Sequence, residues 1–269
     1  MGSRPEVAVA DTAECLGRTV ARIMGEAPEW QRILSLPAEK RLDVYLDMKS
    51  PHAYIAVRPT LEVARDYRVE LNFLPYTLSY TGMGISTSVE TDMKRRAPSA
   101  SADRRARMFY ATAREYTRLQ GIPLRSPHRL LDASLAHRAF MFAKAQRLEV
   151  PFYMNVCLQG WGSGWREYEI ESSEMLRGSL VQVGADVAGF EDFVAPGGAG
   201  ELQVQQCMAT ADGDWMVGVP HYVFDDASAG RKLGLFGREH LSLIRGKFNA
   251  EGLARHERAV TEFPHTWRG

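Results

Sequence analysis

The residue types with the clearest chemical meaning in this chain stand at Ser50-Pro51. A serine before a proline, where a strand passes into a helix, suits an N-cap with proline at the first helical position. The same placement puts a hydroxyl at the positive end of a helix, where anions and thiolates are stabilised. Ser50 therefore reads either as a cap or as the polar centre of a site. A second pair, Val219-Pro220, stands at the start of the late strand run, where proline by itself reads as an ordinary turn or edge-strand residue. His52 and His221 follow the two prolines directly. If they face each other across a cleft, they can act as acid-base groups or hold a substrate carboxylate. The alternative is two partly exposed surface histidines. Asp47 with these histidines lacks metal-ligand spacing, so no metal site is expected.

Other chemically suggestive residues have plainer readings. Trp161, Trp165 and Tyr168 could line an aromatic acceptor pocket, but aromatics at such spacing are more often core. Tyr76, Tyr80 and Met83 could cover the cleft from a loop. Gly82-Met83-Gly84 lacks the lysine and helix start of a phosphate loop. Lys94, Arg95, Arg96, Arg104, Arg105 and Arg107 form a basic cluster that reads as a solvated helix start or as a surface for an anionic ligand. Cys15, Cys157 and Cys207 form no C-x-x-C pair, so neither a disulfide framework nor a cysteine zinc site is expected. They read as small buried hydrophobes.

The elements that must position Ser50 follow from periodicity. The alternating run 42–48 reads as a strand, and a helix follows to about Tyr67. A second alternating run, 69–74, stops at Pro75. Strand, helix and strand in this order make a βαβ unit with parallel strands and a right-handed crossover. Before it, residues 11–32 read as one amphipathic helix capped by Asp11 or Thr12. After it, 77–101 reads as a long loop. Helical segments follow at 102–119, 131–148, 151–160, 172–184 and 200–211. Strand character returns only at 219–224, and a last helix runs over 238–248. A single strand cannot bury its faces alone, so the late strand must rejoin the early sheet. The expected organisation is an N-terminal helical extension (1–40), an α/β domain from 41–76 and 212–250, an inserted helical domain (77–211) and a C-terminal tail (251–269).

Composition narrows the function classes. The 269 residues can bury a sizeable core. Lys plus Arg (33) equals Asp plus Glu (33), so no global field recruits nucleic acid or a membrane surface. No transmembrane or signal segment is read, and a cytoplasmic, reducing setting is expected.

Four stretches carry a resemblance to a known family. They are the segment Tyr45–Ala56 around Ser50-Pro51, the helix end Thr117–Pro123 closing in Gly121-Ile122-Pro123, Trp165-Arg166-Glu167, and Gly218–Phe224 followed by Phe236–Leu241. Over roughly 41–249 the chain resembles the 2-hydroxychromene-2-carboxylate isomerase group, near the kappa-class glutathione transferases and DsbA-like proteins. The resemblance implies an α/β, thioredoxin-like fold with an inserted all-helical domain. It implies that Ser50 stands where redox relatives carry their first cysteine, which excludes dithiol exchange at this turn. It also implies a cis Val219-Pro220 bond, with the Val219 backbone pairing a peptide-like ligand as an edge strand does.

The implied function is glutathione-dependent isomerisation of an aromatic or unsaturated carboxylate, in a homodimer. Ser50 and His52 would be catalytic, and Ser50, Pro51, Val219, Pro220, Arg105, Glu239 and His240 would hold glutathione. The chain departs from the family at several of these positions. Glu239-His240 stands for the usual Asp-Arg, His221 follows the proline in place of Thr, His52 replaces an aromatic, and Arg105 stands for a Lys. A kappa-like glutathione transferase, or a non-redox binding protein that has lost glutathione, are the alternative readings.

Overall fold

The computed structural model describes residues 9–79, 100–214 and 216–259. Two helices open it, α1 (Val9–Met24) and α2 (Ala27–Leu34), where the sequence reading expected one. Gly25 and Pro28 explain the break, since neither favours a helix interior. Helix α1 already runs at Val9, so Asp11 and Thr12 lie inside it and do not cap it. Strand β1 (Lys40–Leu46), helix α3 (Pro51–Asp66) and strand β2 (Val69–Pro75) then form the expected βαβ unit. β1 and β2 pair in parallel, with Leu46 opposite Pro75.

The helical insertion contains α4 (Ala100–Gln120), α5 (Ser134–Ala145), α6 (Glu149–Ser163), α7 (Ser173–Gln182), the short α8 (Phe190–Val194) and α9 (Ala199–Gly213). The chain then returns to the sheet as β3 (His221–Asp226), which pairs antiparallel with β1. A further strand, β4 (Arg231–Phe236), corrects the expectation that strand character ends at 224. Its charged start and central Gly234 hide the alternation, and only pairing in a hairpin with β3 makes it a strand. The sheet order is β2-β1-β3-β4. A 3-10 turn (Arg238–His240) and α10 (Leu241–Ala250) complete the domain.

Alternation assigns the two sheet faces. Val44 and Tyr222 are register partners, and the Tyr222 hydroxyl meets Thr60 Oγ1 of α3 at 3.1 Å. That face is therefore covered by α3, and Phe224 adds an edge-to-face contact with Phe248 of α10. Tyr45 and His221, also partners, point to the opposite face. There Lys144 of α5 donates to Asn72 Oδ1 and Phe73 O of β2, both at 2.8 Å.

Side-chain hydrogen bonds tie α3 to its surroundings. Pro59 lies inside α3 and cannot donate to the Ile55 carbonyl. Gln120, at the end of α4, supplies the missing donor from Nε2 at 2.8 Å. Arg58, next to it and buried, donates to the Gln120 carbonyl and to both oxygens of Glu26, which sits just before α2. The N-terminal helices pack on α3 and α6; Leu16 of α1 seats against Gly162 of α6. Trp161 near the end of α6, with Trp165 and Tyr168 just after it, are core residues whose rings meet edge to face in turn. Cys157 and Cys207 are buried as expected, whereas Cys15 is exposed on α1.

Candidate functional site

Strand direction decides what converges at the site. β1 ends at Leu46 beside the start of β3, because Tyr45 pairs with His221. The turn carrying Ser50 and the bond preceding β3 therefore lie at one end of the sheet. Pro75 pairs with Leu46 and Phe236 with His221, so residues 76–79 and 237–240 emerge at the same end. Four chain segments, far apart in sequence, meet there.

Ser50 is the N-cap of α3, with extended backbone and Pro51 at the start of the helix. Its Oγ accepts the Ala53 N–H at 3.2 Å, and the residue is buried. An accepting hydroxyl keeps its own proton to donate. The cap therefore leaves Ser50 able to donate to an anion at the positive end of a 16-residue helix. Residues 50–53 read Ser-Pro-His-Ala, so neither end of this turn carries a thiol.

The Val219-Pro220 bond is cis, and the Pro220 carbonyl accepts from Gly237 N–H at 2.9 Å. That bond draws the 237–240 turn against the start of β3. Gly237 has φ 112°, and a Cβ there would collide with the Glu239 carboxylate. Arg238 is buried, its guanidinium 3.3 Å over the ring of Tyr116 from α4. Glu239 is exposed, and His240 half-buried.

His52 meets the ring of Phe109 from α4 edge to face, with centroids 5.6 Å apart. Its Nε2 is buried and has no hydrogen-bond partner among the described residues. Burial pushes its pKa below the ordinary value and Arg238 adds to this, while a hydrogen bond at the Phe109 backbone and the Glu239 charge oppose it. The ring is thus held neutral, beside a half-exposed aromatic. Arg105 is exposed on α4 one turn before Phe109, on the same stripe. Arg104 and Arg107 are exposed too, and Arg107 pairs with Asp103 within the helix. Lys94, Arg95, Arg96, Tyr80, Met83 and the Gly82–Gly84 run lie outside the described residues.

His221 does not join His52. It is 3% exposed and points to the α5 and α9 face, stacked edge-on to Tyr45 with centroids 6.5 Å apart. A Cβ on Gly234 would fall 2.9 Å from its Nε2, so the ring fills the space that glycine leaves. Burial lowers its pKa, against the nearby Asp214 charge. The expectation of two histidines across a cleft fails because successive β3 residues face opposite ways, and His52 belongs to α3 on the Tyr222 face. Among the described residues no group of three or more His, Cys, Asp or Glu is arranged to hold a metal ion. None of their helices is long and apolar enough to cross a membrane.

The sequence reading weighed Asp47 only as a metal ligand, gave Lys49 and Arg238 no role beyond their place in the resembling stretches, and passed over Phe109 and His137 altogether. An acid at an inward position of an apolar strand end was the available signal for Asp47. The others become visible only where α4, α5 and the last turn reach the sheet end.

A DsbA-like thioredoxin domain matches residues 41–249. This chain belongs to that family. Similar solved structures of DsbA-like architecture agree. A 2-hydroxychromene-2-carboxylate isomerase matches with TM-score 0.61 at 18% identity, covering 79% of this chain and 96% of its own. The cytosolic disulfide reductase DsbM of Pseudomonas aeruginosa, solved also with GSH, matches with TM-score 0.51 at 12% identity. It covers 79% of this chain and 97% of its own. No curated protein matches the sequence. At these identities the structural likeness establishes the DsbA-like fold.

Proposed function

We propose that this DsbA-like protein is a glutathione-dependent isomerase of an aromatic or unsaturated carboxylate. The observation that carries the reading is the Ser50 hydroxyl, bound to Ala53 N–H at 3.2 Å at the start of α3, in a turn with no cysteine. Such a turn can hold a thiolate but cannot exchange a disulfide. Glutathione supplies, when bound, a thiolate that adds reversibly to a conjugated carbon, so that a double bond can rotate with no net oxidation.

The chain's own groups have distinct tasks in this reading. Ser50 donates to the thiolate, and the N-terminal dipole of α3 lowers its energy. Pro51, Val219 and Pro220 border the same sheet end, where the Val219 backbone would pair with the tripeptide as a neighbouring strand does. Glu239 and His240 would face the γ-glutamyl group, and Arg105 a carboxylate. His52, neutral and with a buried unpartnered Nε2, can take or return a proton at the substrate. Phe109 beside it gives an aromatic substrate a ring to pack on.

We also read the protein as a cytoplasmic homodimer; three unpaired cysteines fit a reducing compartment. Calorimetry with reduced glutathione, followed by a stereochemical assay on unsaturated carboxylates, tests the main reading. Saturable binding with glutathione recycled is expected. Absence of binding refutes it, and stoichiometric consumption of thiol would make the protein a conjugating transferase instead.

A further inference from the structure

Directly after β1, Asp47 is completely buried. Its carboxylate accepts two backbone N–H bonds, from Lys49 at 2.9 Å and from Leu78 at 2.8 Å. Its carbonyl accepts the Ser50 N–H at 3.0 Å and the Tyr153 hydroxyl at 3.2 Å. One residue thus joins the Ser50 turn, the segment after β2 and helix α6. Two side chains able to carry positive charge face the carboxylate. Lys49 Nζ lies at 3.8 Å and His137 Nε2, from α5, at 3.4 Å. Both are almost fully buried, and at these separations charge binds them more than hydrogen-bond geometry does. His137 is oriented by Thr77 Oγ1, 2.7 Å from Nδ1.

The other titratable groups facing this cluster are Tyr153 and Cys157 of α6 and Asp132 ahead of α5. Burial pushes Tyr153 and Cys157 well up, so both stay neutral. Asp132 is solvent-exposed and its charge is screened. Burial alone would raise the Asp47 carboxyl, but His137, Lys49 and the Lys49 N–H together hold it below its ordinary value. Beneath the Ser50 turn there is therefore a buried anion. Such a charge is tolerated only when it is paired.

We propose that Asp47 and His137 are positioning residues for the thiol site. The carboxylate anchors the Ser50 turn to the inserted helices, and Lys49 and the His137 ring that face it set the balance of charge three residues from the hydroxyl that holds the thiol. This rests on the reading that Ser50 holds a glutathione thiol. At the roughly 6–10 Å spanned by three residues in a turn, one unbalanced charge shifts a thiol pKa by about one unit at an effective dielectric of about 20 to 40.

The test is to titrate the ultraviolet thiolate absorbance of reduced glutathione bound to the full-length protein, with affinity and melting temperature measured in parallel. Asp47→Asn should lower the pKa of the bound thiol by about one unit, and His137→Gln should raise it by a similar amount. Thr77→Val, which frees the imidazole without removing it, should give a smaller rise and keeps the test open if the first two variants fold poorly. A bound-thiol pKa that does not move, with only the melting temperature lowered, would overturn the proposal and leave the glutathione reading intact. Failure of the parent protein to bind reduced glutathione would refute both.

Discussion

Substituting Ser50 separates its two roles, because capping and thiolate binding respond differently to charge. Ser50→Ala removes the acceptor of the Ala53 N–H at 3.2 Å. Loss of a serine cap costs about 1 kcal/mol, within a range of roughly 0.5–2. For a chain of this size that lowers the melting temperature by about 2–4 °C. The same variant loses a hydrogen bond to a charged ligand, worth about 1.5–3 kcal/mol, or roughly 10- to 150-fold in glutathione affinity. Ser50→Asp is the informative companion. Aspartate caps a helix as well as serine does, so the melting temperature should stay near that of the parent. A carboxylate at about 4 Å from a thiolate is repelled by about 4 kcal/mol at an effective dielectric of 20. Binding should therefore fall further than in Ser50→Ala while stability recovers. Calorimetric titration with reduced glutathione and thermal melts on all three proteins decide the matter. If Ser50→Asp binds glutathione as the parent does, the thiol is not at this hydroxyl.

The other predictions concern the frame around the site. Glu26→Gln leaves the buried Arg58 guanidinium without the carboxylate that it meets at 2.9 Å. It should cost about 2–3 kcal/mol in urea unfolding, and a change under about 0.5 would show that the pair is not a structural tie. Gly237→Ala adds a Cβ at φ 112° against the Glu239 carboxylate. A loss of about 1–3 kcal/mol is expected, together with weaker glutathione binding, and an unchanged melting temperature would contradict it. Burial lowers the His52 pKa, so the folded protein binds fewer protons there than the unfolded chain. This contribution costs nothing above the unfolded value near 6.5. It grows as pH falls through that value and levels off below the folded one. His52→Phe should flatten that part of the stability curve, and an identical curve in both proteins would exclude His52 as the cause.

Much of the frame was legible because local chemistry and tertiary need agree there. Ser50-Pro51 could be read as a helix start since a cap needs only its own next three residues. The parallel βαβ unit followed from two alternating runs around one helix. Strand β4 was not legible, because Gly234 and the charged Arg231-Lys232 weaken its pattern, and its strand character comes from pairing with β3. The break between α1 and α2 was in the letters Gly25 and Pro28 but was outweighed by the continuous apolar stripe.

The candidate site divides in the same way. By itself the sequence determined the chemistry of the turn: a hydroxyl, no thiol, and a helix dipole behind it. Those are properties of adjacent residues, and folding cannot alter them. Only the tertiary structure decided which distant side chains share that turn. The direction of β3 sent His221 to the face opposite α3 and made it a packed neutral ring against Tyr45. The path of α4 brought Phe109 to His52, and that of α5 brought His137 to within 3.4 Å of Asp47. No periodicity specifies such meetings, because they depend on how sheet and insertion pack against each other, and a buried charge acquires its meaning only from the partner that packing supplies.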